Sequence, residues 1–269
     1  MSVKSTPDWN ADLDLIVAAA HAAGAIALTF FGQSPEVWWK NEDRSPVSAA
    51  DFAANAYLLE HLRSARPSYG WLSEETDDEP SRLSCETVFV VDPIDGTRAF
   101  IAGKPTWCVS VAVVHKGTPV AGVLVAPALG EEFSAVAEGQ ALKNGLPISV
   151  RRTETCDRLR VATAQDMLTG MTPAFRDSVE RVEHIPSLAY RLAMIADGRI
   201  DATLVKRNSH DWDLAAADLI LARAGGRLVD LDGRNLVYNG QDVMHGVLCA
   251  ANAPHLQRFL DQLTTLHRS

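Results

Sequence analysis

Apolar and polar positions alternate along the chain with two different periods, which together predict helices and strands in a mixed order. Apolar residues recur at helical spacing over residues 11–30, where Leu13 and Ile16 share one face. Short β-branched or aromatic runs at 69–73 and 87–91 end in turn residues and predict strands. The same criteria predict further strands at 109–114, 120–126, 133–137, 160–164, 200–205, 228–230 and 246–250, and further helices at 172–182, 187–197, 210–224 and 254–267.

Capping and breaking residues locate a second helix early in the chain. Ser48 has an N-cap side chain and Asp51 follows it by three positions, as in a capping box. Arg66 ends the helix because it precedes Pro67. From spacing alone, Asp51 is interpreted as the capping acid. The residues before this helix, 35–43, are predicted to run into a loop.

The order of these elements predicts layered sheets and helices. The strands between 109 and 137 are separated by short turns and resemble an antiparallel meander, whereas strands and helices mix after residue 150. We therefore predict two halves, an N-terminal α+β half at 1–150 and a C-terminal α/β half at 151–269.

One apolar run leads directly into a pair of acids. The strand at 87–91 is followed by Asp-Pro-Ile-Asp-Gly-Thr at 92–97, and it must end there because Pro93 has no N–H for a sheet ladder. Asp92 and Asp95 are expected on the same side of the chain. Two unit charges about 4 Å apart repel by roughly 4 kcal/mol at an effective dielectric constant of about 20, so a cation is expected between them. Hard oxygen ligands favour Mg²⁺, Ca²⁺ or Mn²⁺ over zinc.

The two residues that follow suit an anion. Gly96 lets the backbone turn and approach a ligand closely. The N–H groups of Gly96 and Thr97 favour an anion if a helical turn begins here. The alternative is an ordinary strand end and turn, since Asp, Pro and Gly are common turn residues. A buried strand, paired acids and an anion site in one motif favour metal-assisted phosphate chemistry over that alternative.

Two acids elsewhere can join this pair. Glu74 follows a strand that can lie beside the 87–91 strand; the alternative for Glu74 is a solvated acid in an acidic loop. Asp213 lies in the first turn of the helix at 210–224; the alternative is a favourable interaction with the helix dipole. If both converge on the 92–97 motif, the four carboxylates can hold two or three divalent ions. Two such ions can clamp the attacking and leaving oxygens of a phosphoryl displacement.

Composition narrows the class of protein. The 269 residues are 47% hydrophobic and 22% charged, as in globular proteins, and the net charge of −9 without a long basic run argues against nucleic-acid binding. The first residues lack the apolar core of a signal peptide, and Asp14, His21 and Gly24 interrupt the apolar stretch at 13–31. We therefore predict a cytoplasmic protein without a membrane span. The cysteines lack metal-ligand spacing and are expected as free thiols: Cys85, Cys108, Cys156 and Cys249.

Four motifs together resemble those of a known family. They are the 92–97 motif, the pair formed by 212–216 and Ala-Gly-Gly at 224–226, the acids at 74–75, and the segment 45–51. On these motifs the chain resembles, over nearly its whole length, the inositol monophosphatase superfamily of Mg²⁺-dependent, lithium-sensitive phosphatases. The resemblance implies a five-layer αβαβα sandwich and a homodimer.

The resemblance also implies roles for individual residues. Asp51 and Thr97 correspond to the pair that activates water, and Glu74 belongs to the same catalytic set. Gly96 and Thr97 correspond to the phosphate-binding turn. Two or three Mg²⁺ ions are implied, with Mn²⁺ or Ca²⁺ able to substitute. The implied metal ligands are Glu74, Asp92, the Ile94 carbonyl group, Asp95 and Asp213.

Two cationic residues bear on the substrate. Lys206 occupies a position where inositol monophosphatases typically carry an acid, and a lysine cannot accept hydrogen bonds from inositol hydroxyls. Residues 96–101 are similar to the 3'(2'),5'-bisphosphate nucleotidase branch. Lys206 and Arg98 are therefore interpreted as substrate-binding residues; the alternative for Lys206 is a solvated surface lysine. The predicted substrate is a small phosphorylated metabolite, 3'-phosphoadenosine 5'-phosphate, which would be hydrolysed to AMP and phosphate.

Three alternatives to this substrate stay open. The chain can be an inositol-1-monophosphatase. It can also be a histidinol-phosphate phosphatase, since residues 98–105 are similar to that branch too, although Trp212 fits it less well. The third alternative is a regulatory binding protein of the same fold.

Overall fold

The structure is a computed structural model that describes six stretches of the chain. They are residues 8–33, 37–40, 45–152, 158–169, 171–183 and 185–267. Within them Cys85, Cys108 and Cys249 are free thiols, as the sequence predicted. Cys156 lies outside the described residues.

The first half of the chain builds one sheet and two long helices. Its elements are α1 Trp9–Leu28, β1 Val37–Lys40, β2 Ser45–Ser48, α2 Ala49–Ala65, β3 Gly70–Ser73, β4 Thr87–Asp95, α3 Thr97–Ile101, β5 Cys108–His115, β6 Thr118–Ala126, β7 Glu131–Val136, β8 Leu142–Lys143 and β9 Leu146–Pro147. Strands β3 to β9 form a seven-stranded sheet in chain order. β3 and β4 are parallel and all other neighbours are antiparallel, so the predicted meander is confirmed.

The second half builds a smaller sheet and the remaining helices. Its elements are β10 Leu159–Val161, α4 Gln165–Thr169, α5 Pro173–Asp177, β11 Val179–Arg181, α6 Leu188–Ala196, β12 Ala202–Val205, β13 Ser209–His210, α7 Asp211–Arg223, β14 Gly226–Asp230, β15 Met244–His245, β16 Leu248–Asn252 and α8 Ala253–His267. Five strands form a sheet in the order β11-β10-β12-β16-β14, and β1-β2 and β13-β15 form two short ribbons. The division near residue 150 stays a prediction.

Helices fill the space between the two larger sheets and cover their outer faces. α1 and α2 pack on one face of the seven-stranded sheet, where Ile16 and Leu58 meet Phe89. α6 and α7 lie between the two sheets. α5 and α8 cover the outer face of the five-stranded sheet, where the rings of Phe175 and Phe259 pack edge to face. These five alternating layers confirm the predicted αβαβα sandwich.

Small residues bring α7 close to the seven-stranded sheet. The three consecutive alanines at 215–217 have no exposed surface. A Cβ atom on Gly122 of β6 would lie 3.0 Å from both the Cα atom and the carbonyl oxygen of Ala216. That separation is closer than carbon atoms normally pack, so this contact requires glycine. Helix α7 therefore packs directly against the backbone of β6.

Three predicted elements differ from the structure. The strand expected to end at Pro93 continues as β4 to Asp95, because a bulge between Asp92 and Asp95 accommodates the proline and Asp95 still pairs with Cys108 of β5. Residues 172–182 were expected to form one helix, but α5 ends at Asp177 and β11 follows. β11 pairs in parallel with β10, and this sheet contact overrides the local helical spacing. The predicted loop at 35–43 contains β1, which pairs antiparallel with β2. Its residues 35–36 and 41–43 lie outside the described part of the chain.

The apolar composition of helix α1 would suit either a membrane span or a helix of the protein core. Among the described residues it is the one helix long and apolar enough to span a membrane by those two measures. Its Ile16, Ala20 and Ala23 have no exposed surface, because they pack in the core that α1 shares with α2 and the sheet. A core helix of a soluble protein passes the same test. The apolar face of α1 is therefore accounted for by its place in the core.

A largely buried acid of α7 gives a stability prediction. Asp218 of α7 accepts a hydrogen bond from the Tyr238 hydroxyl group at 2.8 Å, and burial raises the pKa of Asp218 to about 6. The folded protein therefore binds more protons than the unfolded chain between about pH 4 and pH 6. The corresponding stability is present at low pH and is lost as the pH rises through about 6.

Asp218→Asn should remove the loss of stability above about pH 6, because asparagine is neutral and its oxygen can still accept a hydrogen bond from Tyr238. We expect the free energy of unfolding of the variant, minus that of the unchanged protein, to be about 1–3 kcal/mol larger at pH 8 than at pH 4.5, which means a relatively more stable variant at pH 8. Urea denaturation at both pH values measures this difference. Asp232→Asn, at a carboxylate that is 64% exposed, is the control and should show no such difference. A pH-independent effect of Asp218→Asn would contradict the prediction.

Candidate active site

Two parallel strands deliver acids to the same edge of the seven-stranded sheet. Ser73 at the end of β3 is paired with Val91 of β4, and the N–H of Glu74 donates to the Val91 carbonyl oxygen at 3.2 Å. Glu74 therefore follows β3 at the level where Asp92 follows Val91. The adjacency of these two strands was predicted from the sequence and is confirmed.

Three carboxylates from two distant parts of the chain converge at this edge. One oxygen each from Asp92, Asp95 and Asp213 lies within 4.8 Å of the others. Asp213 arrives on the first turn of α7, where its carboxylate accepts from the N–H of His210 at 2.7 Å. These acids line a cavity of about 170 Å³. The other predicted site residues that line it are Glu74, Ile94, Gly96, Thr97 and Arg98.

Backbone and hydroxyl donors hold the two acids of β4. Asp92 accepts from the N–H of Ile94 at 2.9 Å. Asp95 accepts from the Ser187 hydroxyl group and from the N–H groups of Leu188 at 3.2 Å and Ala189 at 2.7 Å. The start of α6 thus stabilises the Asp95 carboxylate. Sequence reasoning predicted a helix from residue 187 but did not identify the carboxylate that its first turn contacts.

The electrostatic state of the cluster calls for a cation. Burial raises the pKa of Asp92 well above its usual range, and the charges of Glu74 and Asp95 raise it further. Burial raises the pKa of Asp213 to about 7, with the charge of Asp95 as the next cause. Burial also raises the pKa of Asp95, against the hydrogen bonds from α6. A donor set of carboxylate oxygens that repel one another fits a hard divalent cation.

Asp51 combines the two roles that the sequence left open. One of its oxygens, Oδ2, accepts from the N–H of Ser48 at 2.8 Å and from the Ser48 hydroxyl group at 2.6 Å, which caps α2. The Thr97 hydroxyl group lies 3.3 Å from the other oxygen, Oδ1, and 3.1 Å from the Ile94 carbonyl oxygen. Burial raises the pKa of Asp51 to about 6. Asp51 therefore caps a helix and also faces Thr97.

The turn after the two acids requires a glycine. Gly96 has φ of +97°, and a Cβ atom there would lie 2.9 Å from the Cβ atom of Ser187. A side chain would be strained by the backbone and would also collide with the start of α6. α3 begins at Thr97 directly after this turn, so the helical turn anticipated from the sequence is present. The first N–H groups of a helix have no partner within the helix.

A second cavity of about 430 Å³ shares Asp95, Arg98 and Asp213 with the first. Lys206 lines it from an exposed position, where its Nζ atom lies 2.6 Å from Asp166 Oδ2. Arg98 is exposed and lines both cavities. The two predicted substrate-binding residues, Arg98 and Lys206, therefore both line the second cavity, next to the acids.

Sequence reasoning missed Arg191, which also lines this second cavity. It lies on α6 and is 7% exposed, and among the described residues no acceptor is within hydrogen-bonding distance of its Nε atom. Burial lowers the pKa of Arg191 to about 10, while the charge of Asp95 acts in the opposite direction. A single arginine within the apolar run of α6 was the signal that could have drawn attention to it.

Known proteins resemble this chain over almost all of its length. The model of the inositol monophosphatase family matches residues 9–267. A histidinol-phosphatase of Chlorobaculum parvum is 31% identical over 249 residues, 90% of this chain and 93% of the relative. The 3'(2'),5'-bisphosphate nucleotidase CysQ of Salmonella typhimurium is 31% identical over 237 residues, 83% of this chain and 92% of the relative.

A solved structure gives the same result. The extragenic suppressor protein suhB from Bartonella henselae superposes with a TM-score of 0.82 at 29% identity, covering 94% of this chain and 98% of that protein. The family match spans nearly every described residue, and the relatives are phosphatases with different substrates. The chain belongs to the inositol monophosphatase family and is a phosphoric monoester hydrolase.

Proposed function

We propose that this chain is a Mg²⁺-dependent phosphatase that binds two or three ions at the acidic cluster. One observation carries the proposal: three carboxylates lie within 4.8 Å of one another in a cavity, where their mutual repulsion favours a bound cation. Mn²⁺ or Ca²⁺ can use the same oxygen ligands. The proposed ligands are Glu74, Asp92, the Ile94 carbonyl oxygen, Asp95 and Asp213.

The chain's own residues divide the remaining steps of hydrolysis. When bound, the ions supply a water of low pKa and neutralise charge on the phosphoryl oxygens. Asp51 accepts a proton from the attacking water, and the Thr97 hydroxyl group beside Asp51 orients that water. The leaving alkoxide takes a proton from solvent water. Glu74, which follows the neighbouring strand β3, helps to hold the same water. The N–H groups of Gly96 and Thr97 bind the phosphate oxygens at the start of α3.

We propose a substrate with two phosphate groups, 3'-phosphoadenosine 5'-phosphate, which is hydrolysed to AMP and phosphate. Support comes from the second cavity, which Arg98, Arg191 and Lys206 line next to the acids. A buried arginine with an unused donor is suited to a phosphate, which accepts several hydrogen bonds at once. With one phosphate at the acidic cluster, the second phosphate would lie in this cavity.

The alternatives within the family fit these charges less well. Inositol hydroxyls gain most from acceptors, and cationic side chains are donors only. Histidinol phosphate carries an amine, which the cations at the second cavity would repel. The relative from Chlorobaculum parvum nevertheless makes histidinol phosphate the second candidate. A phosphate-release panel with Mg²⁺ should give the highest kcat/KM for the bisphosphate, and a preference for either alternative would overturn the substrate proposal.

Arg191 offers a sharper test with a matched pair of substrates. 3'-Phosphoadenosine 5'-phosphate and 3'-AMP present the same scissile group, but only the first has a second phosphate. Arg191→Met should raise KM for the bisphosphate by about 10- to 100-fold, because a charge-assisted hydrogen bond is worth roughly 1.5–3 kcal/mol. KM for 3'-AMP should change little, and Arg191→Lys should fall between. An equal loss for both substrates would mean that Arg191 acts on Asp95 instead.

We also propose a cytoplasmic homodimer that lithium inhibits, without a nucleic-acid or membrane partner. The net charge of −9 supports the absence of a nucleic-acid partner. Light scattering of the purified protein tests the dimer, and a phosphate-release assay with added lithium tests the inhibition. A purely regulatory binding protein would show no phosphate release with any ester of the panel.

A further inference from the structure

We propose that Arg82 is a positioning residue that fixes the Glu74 loop against the start of α7, and thereby sets the spacing of the metal ligands. Arg82 lies in a short 3₁₀ helix at Pro80–Ser84, after the acidic loop that begins at Glu74. It is 2% exposed although it carries a charge. A buried arginine is stable only if its donors are satisfied, and its partners show what it holds together.

One side of the guanidinium group holds the acidic loop. Its Nε atom donates to Asp78 Oδ1 at 2.6 Å and its Nη2 atom donates to Asp78 Oδ2 at 2.9 Å. Such a two-pronged pair fixes orientation as well as distance. The loop is also held at Thr76, whose hydroxyl oxygen accepts from Asn55 and Trp71. The segment after Glu74 is therefore tied at two points.

The other side of the guanidinium group reaches the second half of the chain. Its Nη1 atom donates to Asn239 Oδ1 at 2.6 Å and to the Gly240 carbonyl oxygen at 3.0 Å. The N–H of Asn239 in turn donates to Asp211 Oδ2 at 2.6 Å. Asp211 is the first residue of α7 and is 1% exposed. Asp213 lies two positions further along the same turn.

Further contacts make this connection rigid. Asp211 Oδ1 lies 2.7 Å from His245 Nε2, so both of its oxygens are engaged. Gly70 of β3 allows Arg82 to approach, since a Cβ atom there would lie 3.2 Å from the Cβ atom of Arg82 and 3.0 Å from Val88 Cγ2. Hydrogen bonds thus run from the Glu74 loop through Arg82 and Asn239 to Asp211, without a break.

The inference concerns the proposed metal site and rests on it. Glu74 and Asp213 come from segments far apart in the sequence, and ion affinity depends on how well their separation is preset. Residues that orient metal ligands typically contribute 10- to 100-fold to affinity. Arg82 acts through intermediate residues, so we expect about fivefold to tenfold.

The test is a titration of the whole chain with Mn²⁺ alone, well below the melting temperature. Electron paramagnetic resonance and calorimetry measure the binding. Asn239→Gly removes the side-chain acceptor of Arg82 Nη1 and leaves the Gly240 carbonyl oxygen as the other one. Glycine suits the backbone there, because Asn239 has φ of +58°. Arg82→Lys keeps the charge but cannot span both partners. Arg82→Lys should raise the Mn²⁺ dissociation constant about fivefold to tenfold, and Asn239→Gly should raise it by a smaller factor because the Gly240 acceptor remains. Arg63→Gln, at an exposed arginine of the same region, is the control and should have no effect.

The double variant separates positioning from local damage. If Arg82 and Asn239 act as one connection, Arg82→Lys/Asn239→Gly should bind Mn²⁺ no more weakly than the worse single variant. Multiplied losses, or unchanged affinity in Asn239→Gly, would overturn the inference. If Arg82→Lys does not fold, as judged by circular dichroism, Asn239→Gly alone decides. Absence of Mn²⁺ binding by the unchanged protein would instead contradict the proposed function.

Discussion

Asp95→Asn is expected to abolish phosphate release while leaving the fold intact. The substitution removes one charge from the three-carboxylate cluster and keeps the shape of the side chain. A bound ion stabilises the transition state by several kcal/mol, so losing one of its ligand charges should lower kcat by roughly a thousandfold or more. The measurements are kcat under saturating Mg²⁺ and the Mn²⁺ dissociation constant, which should rise in parallel.

The hydrogen bonds from α6 supply the control for this variant. Ser187→Ala removes one donor to Asp95 but keeps the carboxylate and the N–H groups of Leu188 and Ala189. Its loss of activity should be far smaller. Circular dichroism should be unchanged in Asp95→Asn. Near-normal turnover by that variant would remove Asp95 from the metal site and with it the proposed chemistry.

Asp51→Asn should lower kcat by about 10²- to 10⁴-fold with little change in Mn²⁺ affinity, because it removes the proposed general base and no metal ligand. The asparagine oxygen can still accept from the N–H of Ser48, so α2 should keep its cap. Kinetics and Mn²⁺ titration on the same preparation separate the two effects.

The matched control addresses the second role of Asp51. Ser48→Ala removes the hydroxyl group that donates to Asp51 Oδ2 and leaves Thr97 and Asp51 Oδ1 in place. It should lower the melting temperature but change kcat only slightly. If Ser48→Ala and Asp51→Asn lowered kcat equally, Asp51 would matter for capping and not for proton transfer.

The sequence predicted those parts of the site that follow local rules. Gly96 permits the left-handed turn, so the turn and the two acids of the 92–97 motif could be predicted together, although the strand does not end at Pro93 and continues to Asp95. Glu74 could be placed beside Asp92 because β3 and β4 were both recognisable as short apolar runs. Asp213 depended on the family resemblance, since its position at a helix start has an ordinary explanation.

The remaining features depend on contacts between distant segments. Arg82 and Arg191 are charged residues in the interior, and only the fold shows which groups face them. The Ser187 hydroxyl group, at the start of α6, donates to the Asp95 carboxylate of β4. β11 looked helical because its place beside β10 cannot be deduced from its own three residues. Local spacing carries no information about these partners.

The position of α7 between the two sheets has a consequence for biosynthesis. During translation, the seven-stranded sheet is complete before α7 has been made, so one of its apolar faces waits uncovered. Such a face favours aggregation until α7 packs on it. The nascent protein also lacks Asp213 at that stage. The proposed ion site would therefore be complete only once α7 covers the sheet.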